Sequence, residues 1–139
     1  MKIRYAEYAD IDILSEHDKH ISKEELANSI RLRRIYIAEE NGEFAGWLRY
    51  NLFWDNTPFM NMLYISEKFR CHGIGRKLVK FWEREMSKSG FRTIMTSTQS
   101  NEYAQHFYFK LGYEAAGGFR LDGEPYELIL FKNNAMTSE

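Results

Sequence analysis

Arg70-Cys71-His72-Gly73-Ile74-Gly75-Arg76-Lys77 follows an apolar, strand-like run from Met60 to Ile65 and opens an amphipathic helical pattern. Two glycines one residue apart let the backbone come close to a ligand and present successive N–H groups in one direction. A helix that begins there adds about half a positive charge at its N-terminus. Arg70, Arg76 and Lys77 add full charges, so the segment suits an anion, and a pyrophosphate fits it best.

Spacing decides which pyrophosphate. A dinucleotide fingerprint needs G-x-G-x-x-G, but the third glycine position after Gly73 and Gly75 holds Leu78. An acidic residue about twenty positions on would bind a ribose, and Gly90 to Thr98 contains no carboxylate. A P-loop needs G-x-x-x-x-G-K-[ST], and no such run occurs. What remains is R-x-x-G-x-G. On these residues the chain resembles the GNAT family, the Gcn5-related N-acetyltransferases, in which this motif holds the pyrophosphate of acetyl-CoA.

A second stretch carries the same resemblance. Asn101-Glu-Tyr-Ala104-Gln-His-Phe107-Tyr108-Phe-Lys110-Leu-Gly112-Tyr113 matches the family's N-x-x-A-x-x-F-Y-x-K-x-G-[FY]. Without the family it reads as a short helix, with Ser100 or Asn101 as N-cap and Gly112 at the C-terminal cap. Ala104, Phe107, Tyr108 and Leu111 then share one face at three- and four-residue spacing. The two motifs stand in the family's order, separated by a helix and a strand.

Composition agrees with an ordinary globular protein: 139 residues, 44% hydrophobic and 28% charged, room for one sizeable core. A net charge of −1 gives no overall basic field for nucleic acid; the basic residues are instead local, with Lys68, Arg70, Arg76, Lys77 and Lys80 close together. Met1 to Leu14 has no apolar signal-peptide core, and no window approaches the eighteen or so apolar residues a membrane span needs. A single cysteine forms no internal disulfide and suits a reducing compartment, so a cytoplasmic location is expected.

The element order reads βααβββαβαββ over a single domain, residues 1–139, with a polar tail at 133–139 expected to fray. A short strand, Lys2 to Tyr5, precedes a helix from about Ala9 to Lys19 with Asp10 as its cap. Ser22-Lys-Glu-Glu25 has capping-box spacing and starts a helix to about Arg33. Asn41-Gly42 joins strands Ile35 to Glu39 and Phe44 to Phe53 as a hairpin. Trp54 to Pro58 is a turn into the strand Phe59 to Ile65. The next helix buries Ile74, Leu78, Phe81, Trp82 and Met86, with Arg76, Lys80, Glu83 and Arg84 outside. Strands follow at Arg92 to Thr98, Tyr113 to Leu121 (interrupted at Gly117-Gly118) and Tyr126 to Phe131. The expected class is α/β, more closely an α+β mixed sheet. The resemblance makes it the GNAT acyl-CoA acyltransferase fold, a central twisted mixed sheet flanked by helices.

The resemblance implies an enzyme, moving an acetyl group from acetyl-CoA directly to a primary amine within a ternary complex. Acetyl-CoA is then the cosubstrate, contacted by Leu63, Tyr64 and Ile65 on the strand, by Arg70, Cys71, His72, Gly73, Ile74, Gly75, Arg76 and Lys77 at the loop, and by Asn101 and Phe107. Tyr108 holds the position the family often uses for the general acid that protonates the leaving thiolate. Many relatives place a glutamate near Asn61 to relay the amine's proton; an amide has no such basicity, which leaves Asp55 or Glu127 as substitutes, or a water chain without a base. The partner is a small-molecule or peptide amine, with a homodimer left open by the resemblance and neither nucleic acid nor membrane expected. No metal is expected either: His17 and His20 are three apart but lack an acidic or cysteine partner. Two rivals stand beside this view: a non-catalytic acyl-CoA-binding or sensing domain, and a small module whose basic loop binds another phosphorylated ligand.

Overall fold

The computed structural model describes residues 1–134. Its elements run β1 (Lys2–Tyr5), α1 (Ile11–His17), α2 (Lys23–Arg31), β2 (Ile35–Glu40), β3 (Glu43–Phe53), β4 (Thr57–Ile65), α3 (Ile74–Lys88), β5 (Thr93–Gln99), α4 (Ala104–Lys110), β6 (Glu114–Phe119) and β7 (Glu127–Asn133). This is the order read from the sequence. The seven strands form one mixed sheet in the order β1-β2-β3-β4-β5-β7-β6. β1–β2, β2–β3, β5–β7 and β6–β7 pair antiparallel, whereas β4 and β5 are parallel, as strands joined through a helix must be.

By internal contacts the chain divides into two compact units. The first comprises Met1–Asn51 and Met62–Trp82, the second Leu52–Asn61 and the described residues from Glu83 onward. In the first, Ile11 and Leu14 of α1 and Leu26 and Ile30 of α2 form a core with Ile35, Ile37 and Trp47 of the adjoining strands. Ser22 caps α2 as expected, its hydroxyl accepting from the Glu25 N–H at 3.1 Å. The hairpin turn at Asn41-Gly42 has positive φ at both residues (53° and 78°), the conformation a two-residue turn needs. In α3, Ile74, Leu78, Trp82 and Met86 are buried in the predicted stripe, joined by Val79.

Element ends differ for identifiable reasons. α1 is preceded by a 3-10 turn at Tyr8–Asp10 and starts at Ile11. The Asp10 carboxylate is committed to Arg4 (2.8 and 2.9 Å) and to the Glu7 N–H, so it does not cap α1. α1 stops at His17 because Asp18 leaves helical geometry and turns its carboxylate into the core. There it accepts from Arg49 Nε at 2.9 Å and Trp47 Nε1 at 3.3 Å. α2 stops at Arg31, and Arg33 follows with φ 60°.

The second unit corrects one placement. Glu83, expected outside, is only 5% exposed. Its carboxylate accepts from Tyr113 Oη at 2.9 Å and from Lys132 Nζ at 3.1 and 3.2 Å, so it is buried as a paired charge. Amphipathic spacing cannot foresee a cation supplied fifty residues later. Asn133 closes β7 and the Asn134 N–H donates to the Arg92 carbonyl at 2.6 Å; the rest of the stretch expected to fray lies outside the described residues.

Asp18 and Arg49 are 1% and 8% exposed, so removing either charge strands the other in a place water cannot reach. Asp18→Ala should lower unfolding free energy by about 3–5 kcal/mol in urea titrations. The double variant Asp18→Leu/Arg49→Met should recover most of that loss, and a double variant no better than the single would show that the pair is not the cause.

Candidate active site

In the first unit, β4 ends at Ile65 and the chain passes through a short 3-10 turn, Glu67–Phe69, into the loop before α3. Arg70 is turned back on the strand: its Nε donates to the Ile65 carbonyl at 3.0 Å and its guanidinium lies 5.4 Å from the Tyr64 ring centroid. Tyr64 in turn lies against Gly46 of β3, where a Cβ would collide with the Tyr64 carbonyl oxygen and the Ile65 side chain. Glycine at 46 therefore fixes the close approach of β3 to the end of β4.

Past Arg70 the backbone alternates into the left-handed region, with φ 66° at Cys71 and 78° at Gly73. The first helical hydrogen bond of α3 runs from the Lys77 N–H to the Gly73 carbonyl at 3.1 Å. The N–H groups of Ile74, Gly75 and Arg76 consequently have no partner within the helix and concentrate its positive end. Cys71, His72 and Gly73 are exposed, and a Cβ at Gly73 would meet nothing within 4 Å. Arg76 and Lys77 are exposed beside them. Open space at Gly73, N–H groups without a partner in the helix and the exposed Arg76 and Lys77 suit an anion such as a pyrophosphate.

In the second unit, α4 carries Tyr108. Gly112 (φ 97°) ends the helix as expected: its N–H donates to the Phe109 carbonyl and that of Tyr113 to the Tyr108 carbonyl, both at 3.1 Å, which is a Schellman closure. The N-terminal end departs from expectation. α4 begins at Ala104 with Tyr103 as N-cap and no side-chain cap; Asn101 is an exposed turn residue, and Gln105 Nε2 ties the turn by donating to the Ser100 and Glu102 carbonyls. Phe107 is half-buried, and Tyr108 is 6% exposed, its ring edge-on to Tyr113 with centroids 5.6 Å apart.

The helix that carries Tyr108 packs against β5. The parallel pairing of β4 with β5 comprises Phe59↔Met95 and Met60↔Thr96, both within this unit. β5 runs three residues beyond Thr96, to Gln99. Thr96, buried, donates from Oγ1 to the Met60 carbonyl at 3.0 Å. Burial pushes the Tyr108 phenol up to about 12, opposed by Thr96 and reinforced by the charge of Glu102. The phenol therefore keeps its proton at neutral pH. Tyr113 is pushed up further, first by burial and then by Glu83.

Of the alternative proton acceptors, Asp55 lies in the exposed β3–β4 turn with φ 64°, whereas Glu127 is half-buried at the start of β7, opposite Gln99. Asn61 is exposed on β4. Thr96 was not singled out by sequence. Its signal was the alternation of Ile94, Thr96 and Thr98 on the buried side of a threonine-rich strand. Among the described residues no cluster of three metal-ligating side chains occurs.

The loop geometry separates two substitutions. Gly73→Val has room in the free protein, so its folding cost should be confined to the positive φ, about 1–2 kcal/mol. It should nevertheless abolish acetyl-CoA binding by covering the amides. Arg76→Ala should weaken binding with a smaller salt dependence than the parent. Calorimetry at two ionic strengths checks both; unchanged affinity in folded Gly73→Val would remove the pyrophosphate from this loop.

Comparison with known proteins places this geometry. The D-amino-acid N-acetyltransferase HPA3 of Saccharomyces cerevisiae is 32% identical over 74 residues, which cover 51% of this chain and 46% of the yeast protein. The chain thus matches about half the length of that curated relative. Among solved structures, the ribosomal-protein-S18-alanine N-acetyltransferase of Escherichia coli superposes with a TM-score of 0.80 at 21% identity, covering 99% of this chain and 96% of the other. The yncA protein of Salmonella typhimurium, solved with acetyl-CoA, gives 0.80 at 17% identity over 100% and 96%. At such identities the likeness shows the fold. The model of the acetyltransferase (GNAT) family matches residues 4–113, from β1 to the end of the second motif, and the chain belongs to that family.

Proposed function

We propose that this protein is an N-acetyltransferase that moves the acetyl group of acetyl-CoA directly to a primary amine within a ternary complex. The observation that carries the proposal is Tyr108, a phenol buried on α4 that desolvation keeps protonated at neutral pH. The amides of residues 71–76 supply a seat for the pyrophosphate, and Leu63 to Ile65 a strand along which the pantetheine arm can pair. The yncA structure contains acetyl-CoA, which supports the same cosubstrate here. The named relatives act on D-amino acids and on a protein alanine, which supports a small-molecule or peptide amine as acceptor.

The chemistry has two proton problems. An amine with a pKa of about 10.4 is only about 0.04% neutral at pH 7, so presenting it as a nucleophile costs about 4–5 kcal/mol. Asn61 offers no basicity, and the amine's proton leaves to water before attack. After attack the nitrogen still carries a surplus proton, which passes to water as the tetrahedral intermediate collapses and expels the thiolate of CoA. Tyr108 gives its proton to the sulfur, the O–H bond breaking as the S–H bond forms. A backbone N–H of the Leu63–Ile65 segment stabilises the oxyanion.

Two measurements test this. A panel of amines with acetyl-CoA should release free thiol, and Tyr108→Phe should lower kcat on the best acceptor by about 10²–10⁴-fold with little change in acetyl-CoA affinity. Full turnover in that variant would leave Tyr108 a packing residue. With no base, log kcat/KM should rise with unit slope from pH 6 up to near the acceptor's own pKa. A plateau that begins near pH 7 would instead reveal a general base.

A further inference from the structure

Arg70 stands at the start of the anion loop, yet its side chain is engaged with the strand behind it. Its Nε donates to the Ile65 carbonyl at 3.0 Å, and its guanidinium lies 5.4 Å from the Tyr64 ring centroid. That hydrogen bond holds one side of the Ile65–Ser66 amide. The other side, the Ser66 N–H, donates to the Ala45 carbonyl of β3 at 2.8 Å. The amide is therefore tied at both ends. Lys68, the next cation in the chain, is paired with Glu43 and leaves this carbonyl to Arg70.

The preceding amide is held from the opposite side. Where a Cβ at Gly46 of β3 would stand, the Tyr64 carbonyl oxygen passes instead. A trans peptide sends its N–H opposite to its C=O, so with the Tyr64 carbonyl directed at β3 the Ile65 N–H is turned away from it. β3 occupies one edge of β4 here, and a strand-like ligand can pair only along the other. The Ile65 N–H is a donor on that edge. Ile65 is also the end of β4 nearest the loop, so this donor meets the arm close to the pyrophosphate.

Resting on the reading that the pantetheine arm pairs along Leu63 to Ile65, we propose that Arg70 is a positioning residue for the cosubstrate and not a ligand of its phosphates. With Gly46 it holds two successive amides so that the Ile65 N–H faces outward and donates to a carbonyl of the arm. The phosphates are left to the loop amides and to the exposed Arg76 and Lys77.

Glutamine separates the two roles, because its Nε2 follows Cδ just as the arginine Nε does: Arg70→Gln keeps a donor in that place and removes the charge. Calorimetry of acetyl-CoA at two ionic strengths reads both. Arg70→Ala should weaken binding by about 5- to 10-fold, the worth of one hydrogen bond, with the parent's salt dependence. Arg70→Gln should bind within two-fold of the parent at both ionic strengths. Gly46→Ala displaces the Tyr64 carbonyl and should weaken binding, again with the salt dependence unaltered. If Arg70→Ala does not fold, Arg70→Gln decides alone: parent-like affinity supports the donor role, and a loss overturns it. Arg70→Gln as weak as Arg70→Ala would overturn the proposal, and a shallower salt dependence in both would make Arg70 a phosphate ligand. Unchanged affinity in folded Arg70→Ala would overturn it too, while acetyl-CoA binding and acetyl transfer by the parent left the proposed function in place. A parent that binds no acetyl-CoA would remove that function, and this inference with it.

Discussion

The last pair of the parallel β4–β5 ladder, Met60↔Thr96, is the constraint that fixes where the two central strands stop pairing. A backbone ladder satisfies polar groups only where two strands face each other, and beyond its end each N–H and C=O requires another partner. Here the Met60 carbonyl takes a side-chain hydroxyl, that of Thr96. Glycine at 112 is what lets α4 stop abruptly after delivering Tyr108, because its φ of 97° would strain any residue with a Cβ.

Burial has opposite consequences for the ionisable groups of this chain. Asp18 and Glu83 are buried carboxylates with cations, Arg49 and Lys132, placed against them, and each joins elements distant in sequence. Their charges are compensated and serve the fold. For Tyr108 desolvation dominates, and the phenol keeps its proton.

Much of this was legible in the sequence because glycine and periodicity have local causes. The element order, the Asn41-Gly42 turn, the apolar stripe of α3 and the Gly112 closure each follow from neighbouring residues. The turn into α3 was legible for the same reason, since R-x-x-G-x-G specifies backbone geometry within six positions. What stayed hidden depends on residues far apart in sequence. Glu83 reads as a solvated helix position until Lys132 and Tyr113 are folded against it. Asp18 ends α1 early because of Arg49, thirty-one residues away. Thr96 is one of several threonines on its strand, and only pairing to Met60 distinguishes it. The start of α4 was misplaced because Asn101, a strong N-cap residue type, lies in a turn that Gln105 holds from the other side.

The central claim is that acetyl-CoA lies along the end of β4 with its pyrophosphate over the loop before α3. Amide chemical shifts of the isotopically labelled protein, followed as coenzyme A is titrated in, address it residue by residue. The account predicts that the largest shifts fall at Cys71 to Arg76, accompanied by Leu63 to Ile65. Saturable binding that leaves those amides unmoved, with the shifts gathered instead on another surface such as the Trp54–Asn56 turn, would contradict it.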